Sequence, residues 1–231
     1  MKKIVMAITA LVLFSIACKH QMVDPATLIE PITVTPPVTN PTVNDTVCFQ
    51  TQVLPLYQSY CASSGCHDAV SRKDGVITTD YFNIMKGIKA KNPSSSKYYT
   101  IITKGEMPPS GSPKLNADQI ALIAKWINQG ALNTVCNSNT CDTSKYTYTN
   151  SISATFATYC NGCHTGANAS AGIILSDYTN AKSVAVRMKA NFLSAINYTA
   201  VPASKNMPPA GKLATCQIDI ITKWINAGMP Q

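Results

Sequence analysis

Charged side chains are scarce in this chain of 231 residues. Asp, Glu, Lys and Arg make up only 13% of it, and although the formal net charge is +8, no stretch concentrates the basic residues. A protein that binds nucleic acid presents a clustered basic surface to the phosphates. The composition therefore indicates a mildly basic, solvated surface and argues against a nucleic-acid partner.

The sequence also lacks the alternation of apolar and polar residues that marks β-strands. Helical spacing is present instead, because apolar residues recur three and four positions apart before each of two tryptophans. These residues are Ile120, Ile123, Ile127, Leu122 and Trp126, and later Ile218, Ile221, Ile225, Ile220 and Trp224. The pattern predicts an all-α fold. Asn116 is the expected N-cap of the first of these helices, and Gly130 and Gly228 are the expected stop signals.

Long apolar runs are absent except at the N-terminus. Ile4 to Ile16 is apolar but shorter than the ~20 residues that a membrane-spanning helix needs. Lys2 and Lys3 precede it, as in a secretory signal. The run ends in Ser15-Ile16-Ala17-Cys18, which resembles a bacterial lipoprotein signal except that Ser15 stands where leucine is usual. We predict a signal peptide over 1–17 and lipidation of Cys18; an ordinary secretory signal with an incidental cysteine is the alternative.

A Pro- and Thr-rich stretch follows Cys18. It contains Pro25, Pro31, Pro36, Pro37 and Pro41, and such sequences favour extended polyproline conformations over a packed core. Residues 18–47 are therefore predicted to be the lipid anchor and a disordered linker. The expected location is periplasmic or outer-membrane, with the membrane contacted through Cys18.

Beyond the linker the sequence repeats itself. Four landmarks recur in the same order about 98 residues apart. They are Tyr60…Cys66-His67 and Tyr159…Cys163-His164, Asp80-Tyr81 and Asp177-Tyr178, Met107-Pro108-Pro109 and Met207-Pro208-Pro209, and Lys125-Trp126-Ile127-Asn128 and Lys223-Trp224-Ile225-Asn226. A conserved order and spacing within one chain indicates a tandem duplication. We predict two helical domains over 48–135 and 136–231, called here the first and second repeat.

The second repeat contains Cys160-Asn-Gly-Cys163-His164, a C-x-x-C-H motif that is the attachment signature of c-type haem. Two thiols at this spacing add across the two vinyl groups of haem, and the adjacent histidine becomes the proximal iron ligand. A redox-active cysteine pair or half of a zinc site is the alternative reading of C-x-x-C. The later residues of the repeat supply methionine rather than further zinc ligands, which favours haem.

The first repeat carries a longer version of this motif. Four residues separate Cys61 from Cys66, and His67 follows directly. The two extra residues are small and fit a bulge in the loop, and the adjacency of Cys66 and His67 is kept. We predict a second covalent haem here. The alternative is a Cys61–Cys66 disulfide in a domain without haem.

A methionine follows each histidine at a similar distance and at the same place in the repeat. Met107 and Met207 both stand before two prolines, which restrict the backbone of the loop. They are predicted to be the sixth iron ligands. Met85, Met188 and Met229 have no partner in the repeat and are expected to serve in packing.

Together, the motif Cys160–His164, the Met207-Pro208-Pro209 loop and the Trp224 helix resemble a class I cytochrome c domain. The resemblance covers nearly all of 48–231, because each of the two repeats resembles one such domain. It implies a small helical shell around haem c in which the first and last helices cross. It also implies electron transfer to and from redox partner proteins of the cell envelope. The longer motif at Cys61 departs from the family pattern.

Four of the nine cysteines remain once Cys18 and the two motifs are set aside. Exported proteins form disulfides, and four cysteines allow three pairings. In the crossed-helix fold that the resemblance implies, Cys48 would pair with Cys136 and Cys141 with Cys216. Each disulfide would then close one repeat.

Three functions stay open. The first is an exported di-haem electron carrier with two His/Met-ligated haems, which is not an enzyme. The second is a di-haem peroxidase, which needs an additional histidine ligand; the chain has only His20, His67 and His164, and His20 lies beside Cys18. The third is a haem-stabilised binding module in which only the second repeat carries haem.

Overall fold

The computed structural model describes residues 45–136 and 141–231, and all regular structure in them is helical. The helices are α1 (Leu54–Cys61), α2 (Tyr81–Met85), α3 (Lys97–Thr103), α4 (Ala117–Asn128), α5 (Ser153–Tyr159), α6 (Tyr178–Arg187), α7 (Lys189–Ile196) and α8 (Thr215–Asn226). The all-α prediction is confirmed for this part of the chain. The predicted signal peptide, Cys18 and the linker up to residue 44 lie outside the described residues.

The helices of the two repeats follow the same order, so that α1–α4 correspond to α5–α8. One π-helical turn leads into each first helix, at Phe49–Val53 and Tyr148–Ile152. Helices α1 and α5 precede the two cysteine motifs, and the predicted tryptophan helices are confirmed as α4 and α8. The intervening helices were not predicted, because elements of five to ten residues show too little periodicity to be read.

Helix α4 begins and ends where the sequence indicates. The Asn116 side chain accepts the Gln119 amide hydrogen at 2.9 Å, and the Gln119 side chain accepts the Asn116 amide hydrogen at 2.8 Å. This reciprocal capping box satisfies two amide donors that a helix start leaves without partners. Gly130 and Gly228 follow α4 and α8 with φ of +103° and +82°, a conformation that glycine adopts without strain.

Each repeat surrounds its tryptophan with aromatic rings. In the first repeat, the Phe49 ring lies 5.1 Å from both Tyr81 and Trp126. The Trp126 Nε1–H donates to the Leu132 carbonyl at 2.9 Å, so the buried indole leaves no polar atom without a partner. The final helix is thereby fixed against the segment that begins the repeat.

The second repeat builds an equivalent core. Trp224 is fully buried and contacts the rings of Tyr148 and Phe156, whose centroids lie 6.2 and 6.1 Å away. Its Nε1–H donates to the Pro230 carbonyl at 3.0 Å. Tyr148 in turn contacts Tyr178 at the start of α6. The duplication seen in the sequence is therefore also a duplication of packing.

Two disulfides close the repeats at their ends. Cys48 is bonded to Cys136, with Cα atoms 5.6 Å apart, and Cys141 to Cys216, with Cα atoms 5.4 Å apart. The first joins the residue before the Phe49–Val53 turn to the segment after α4. The second joins the start of the second repeat to α8. This is the pairing that the crossed-helix resemblance implied.

Aspartates cap the second helix of each repeat. Asp80 Oδ1 accepts the Asn83 amide hydrogen at 3.0 Å, and Asp80 Oδ2 accepts a hydrogen bond from the Asn83 side chain at 2.6 Å. Asp177 and Asn180 repeat this arrangement at 2.9 and 2.7 Å. The bonds from the Asn83 side chain and backbone hold the pKa of Asp80 below its usual value of 3.8, because they stabilise the charged carboxylate.

We expect Asp80→Ala to lower the free energy of unfolding by about 1 kcal/mol at pH 7, since a helix cap is lost. The carboxylate's contribution is present above its unfolded-state pKa and is lost as pH falls through its lower folded-state pKa. Asp80→Asn keeps the cap without the titration, so it should retain most of the stability at pH 7 and lose less between pH 4 and pH 2. Guanidinium denaturation at both ends of the pH range checks this, and equal acid sensitivity of Asp80→Asn and the parent would contradict it.

Candidate functional site

The two cysteine–histidine loops close in the same way. The His67 amide donates to the Cys61 carbonyl at 3.1 Å, and the His164 amide donates to the Cys160 carbonyl at 2.9 Å. Each histidine therefore holds the same backbone relation to the first cysteine of its motif. The longer first motif does not displace its histidine.

The extra residues of the first motif are accommodated inside the loop. The Cys66 amide donates to the Ser63 carbonyl at 2.9 Å, whereas the Cys163 amide donates to the Cys160 carbonyl at 3.0 Å. The first loop thus turns locally around Ser63 before it reaches the second cysteine. The bulge expected from the small residues of this loop takes the form of a turn between Ser63 and Cys66.

Both imidazoles are oriented by a backbone carbonyl. His67 Nδ1 lies 3.1 Å from the Lys73 carbonyl oxygen, and His164 Nδ1 lies 3.3 Å from the Ile173 carbonyl oxygen. A carbonyl oxygen only accepts, so Nδ1 carries the hydrogen and Nε2 keeps its lone pair. Histidines that bind metals commonly have this second contact, which fixes the ring and its tautomer. Burial lowers the pKa of His164, which favours the neutral, ligating form.

The four motif cysteines are free thiols and partly buried, so Cys61 and Cys66 do not form the alternative disulfide. Burial raises the pKa of Cys61 to about 12, with a further contribution from the charge of Cys66. Burial likewise raises the pKa of the Cys160 thiol to about 12, and the charge of Cys163 contributes to the rise. A thiol held in its protonated form is not poised as a thiolate nucleophile or as a ready metal ligand.

A cavity of about 1260 Å³ lies next to the second motif. Cys160, Cys163, His164 and Met207 all line it, although Met207 is far from the motif in sequence. Its apolar wall is formed by Leu175, Val184, Phe192, Leu213 and Ile221. The volume exceeds the ~300–1,000 Å³ of ordinary small-molecule sites. The tertiary structure therefore brings the four predicted residues of the second site around a space suited to a large apolar ligand.

The two methionine loops are held alike. The Met107 amide donates to the Ile101 carbonyl at 3.1 Å, and the Met207 amide donates to the Ala195 carbonyl at 3.0 Å. Ile101 lies in α3 and Ala195 in α7, so each methionine is tied to the third helix of its own repeat. Both Met–Pro peptide bonds are cis.

A side chain also fixes the proline after each methionine. Lys114 Nζ donates to the Gly105 carbonyl at 2.9 Å and to the Pro108 carbonyl. The Tyr198 hydroxyl donates to the Pro208 carbonyl. Different residues thus give the two loops the same support, and comparing the repeats by sequence alone did not reveal these supports.

Met188 is a residue of this site to which the sequence assigned only a packing role. It lies between α6 and α7 and lines the same cavity as His164 and Met207. The first repeat offers no equivalent, so the comparison of repeats assigned Met188 to packing only. No signal in the sequence distinguishes a methionine that lines a cavity from one that fills a core.

Tyr57 marks a difference between the repeats. It lies one helical turn before Cys61, is 2% exposed, and its hydroxyl has no hydrogen-bond partner. Burial, the Cys61 thiol and Tyr98 all raise its pKa, so the phenol stays protonated. Phe156 stands at the equivalent place in α5 and lines the second cavity. A buried hydroxyl without a partner costs about 1–3 kcal/mol, and the first repeat retains it beside its motif.

The described residues contain no cluster of three or more His, Cys, Asp or Glu side chains that could hold a free metal ion. Within residues 45–136 and 141–231, no helix has the length and apolar character needed to cross a membrane. Comparisons of the chain with protein-family models, with curated proteins and with solved structures found no match.

Proposed function

We propose that the protein is an exported di-haem c-type cytochrome that carries single electrons. One observation carries this proposal: the fold places Cys160, Cys163, His164 and Met207 around a single large apolar cavity. These are two thiols for covalent attachment and an imidazole and a thioether for the iron. The residues present therefore fit haem c in kind and in number.

The roles of the side chains follow from their contacts. His164 presents Nε2 as a ligand because Nδ1 is turned to the Ile173 carbonyl. Met207 presents its thioether from a loop tied to α7, which is suited to holding the sulfur in place. Haem c supplies a one-electron iron couple, and thioether ligation raises its potential relative to bis-histidine ligation. A haem held by both His164 and Met207 would carry electrons without binding a substrate at its iron.

The same function is proposed for the first repeat. His67 and Met107 share the backbone contacts of their counterparts, and the loop between Cys61 and Cys66 keeps His67 in register. The buried Tyr57 hydroxyl beside Cys61 has no hydrogen-bond partner within the chain, which fits a site that binds a further group. These observations support two haem-binding domains over 48–135 and 136–231.

The proposed location is the cell envelope. The two disulfides fit an oxidising compartment, as a signal peptide over 1–17 and a lipidated Cys18 require. The linker over 18–47 would hold the helical part away from the membrane. Redox partner proteins of the envelope are the proposed donors and acceptors, and nucleic acid is not a proposed partner.

Haem stoichiometry tests the proposal. Residues 19–231 are exported in a host with haem-attachment machinery, and the purified chain is analysed by pyridine haemochrome quantitation and intact mass. We expect a mass gain of two haems. Two double variants, Cys61→Ala with Cys66→Ala and Cys160→Ala with Cys163→Ala, locate each haem, since each removes both thioether links from one repeat.

Other results would change the conclusion in defined ways. A gain of one haem that depends on Cys163 would favour the haem-stabilised binding module. A carbon monoxide difference spectrum tests the peroxidase alternative, because a six-coordinate His/Met haem binds carbon monoxide poorly and a five-coordinate haem binds it well. A chain that carries no haem despite competent machinery would overturn the proposal.

A further inference from the structure

The first repeat forms part of the second site. The cavity that Cys160 and Met207 line extends to the first repeat, where Gln58 and Ser59 of α1 and Ser63 of the following loop also line it. A site built from its own repeat alone would not need these residues. The contacts at the edge of this cavity show what they do.

Gly162, between the two cysteines of the second motif, is pressed against Ser59. A Cβ atom at Gly162 would lie 2.1 Å from the Ser59 carbonyl oxygen, a distance that real Cβ atoms do not adopt. The Gly162 amide donates to Ser59 Oγ at 3.2 Å. The attachment loop of the second repeat therefore rests directly on the last turn of α1.

The Cys163 thiol also contacts the first repeat. Its Sγ lies 3.8 Å from the Ser59 carbonyl oxygen and 3.6 Å from Ser63 Oγ. The thiol has one hydrogen, and the carbonyl can only accept it, so Ser63 is the group left to donate to the sulfur. Ser63 belongs to the longer stretch between Cys61 and Cys66, the part of the first motif that departs from the C-x-x-C-H spacing.

Hydrogen bonds around this contact keep the repeats in register. The Tyr60 hydroxyl and the Gln119 side chain both donate to the Ala157 carbonyl, each at 3.0 Å. In the opposite direction, the Tyr159 hydroxyl donates to the Thr51 carbonyl at 2.8 Å. Each tyrosine precedes the first cysteine of its own motif and reaches into the other repeat. The two attachment loops are thus held against each other from both sides.

We propose that Ser59 and Ser63 of the first repeat are positioning residues for the second attachment site, and that the longer first motif supplies this contact. The inference rests on the proposed function. In the attachment step the Cys163 S–H bond breaks, an S–C bond forms to one vinyl carbon, and the hydrogen goes to the other, with no net oxidation. Ser59 and Ser63 orient the thiol for this addition, and Ser63 remains a donor to the sulfur afterwards.

Three single variants of the exported chain 19–231 test this. Ser59→Ala removes the acceptor of the Gly162 amide, Ser63→Ala removes the donor to Cys163, and Ser64→Ala is the matched control, an exposed serine in the same loop with no side-chain hydrogen bond to either residue. Amide hydrogen exchange at Gly162 reports the contact. Mass analysis of the peptides that contain each motif reports how much of each is bonded to haem.

We expect the Gly162 amide to exchange about fivefold faster in Ser59→Ala than in the parent, as for the loss of one ordinary hydrogen bond. Ser59→Ala and Ser63→Ala should both lower the fraction of the Cys160–His164 peptide that carries haem, while the peptide with Cys61 and His67 stays fully loaded. That selectivity separates positioning from general destabilisation, which would reduce both.

Loading of the second motif equal to that of Ser64→Ala, in both variants, would overturn the inference and leave the proposed function intact. Equal losses at both motifs would also overturn it. A parent chain without haem would overturn the proposed function itself. The haem content of the parent therefore distinguishes failure of the proposed function from failure of this inference.

Discussion

Trp224→Ala is expected to lower the free energy of unfolding by about 3–5 kcal/mol, the usual cost of truncating a buried tryptophan. The indole is fully buried, contacts the Tyr148 and Phe156 rings, and donates to the Pro230 carbonyl. The variant leaves a cavity at the centre of the second repeat and removes that donor. Guanidinium denaturation followed by circular dichroism at 222 nm measures the change without depending on tryptophan fluorescence.

Two variants serve as controls for this prediction. Trp224→Phe keeps most of the buried apolar surface but loses the indole N–H, so a smaller loss is expected. Val201→Ala changes a side chain that is 89% exposed and should alter stability by less than about 0.5 kcal/mol. A loss below 1 kcal/mol for Trp224→Ala would show that the aromatic cluster does not hold the second repeat together.

Removing the Cys48–Cys136 disulfide by a double change to alanine is expected to cost about 4 kcal/mol. The two residues are 88 positions apart, so the bond closes a long loop and removes much of the chain entropy of the unfolded state. The small core of each repeat leaves little stability in reserve. Thermal and guanidinium denaturation of the double variant and the parent measure the difference.

The second repeat supplies the matched comparison. Cys141 and Cys216 are 75 positions apart, and their removal should cost nearly as much, because the entropy of loop closure changes slowly with loop length. Reductant added to the parent should reproduce the combined effect of both double variants. A parent whose denaturation midpoint does not respond to reductant would contradict the prediction.

The elements that the sequence predicted are those specified by neighbours along the chain. Asn116 and Gln119 form a capping box because they are three residues apart, and α4 follows from apolar residues at helical spacing. The Cys–x–x–Cys–His unit is likewise a local pattern. Helices α2 and α3 were missed because one or two turns contain too few residues to show a period.

The candidate site was predicted in part for the same reason. Its thiols and imidazole are adjacent in sequence, and the duplication drew attention to Met207 and Met107. Met188 has no counterpart in the first repeat and no distinguishing neighbour, yet it lines the second cavity. Lys114 and Tyr198, which support the two methionine loops, differ in kind and position and could not be matched by comparing the repeats.

The sequence by itself determined the helical class, the duplication, the helix ends and the residue types of the candidate site, since each depends on local spacing or on a repeated order. Only the tertiary structure decided that the two cysteine–histidine loops touch. Gly162 contacts Ser59, which lies more than a hundred residues earlier in the chain, and nothing in the sequence around Gly162 indicates this contact. Contacts of that kind depend on how α1 and α5 pack, and packing between distant segments leaves no period or motif in the sequence.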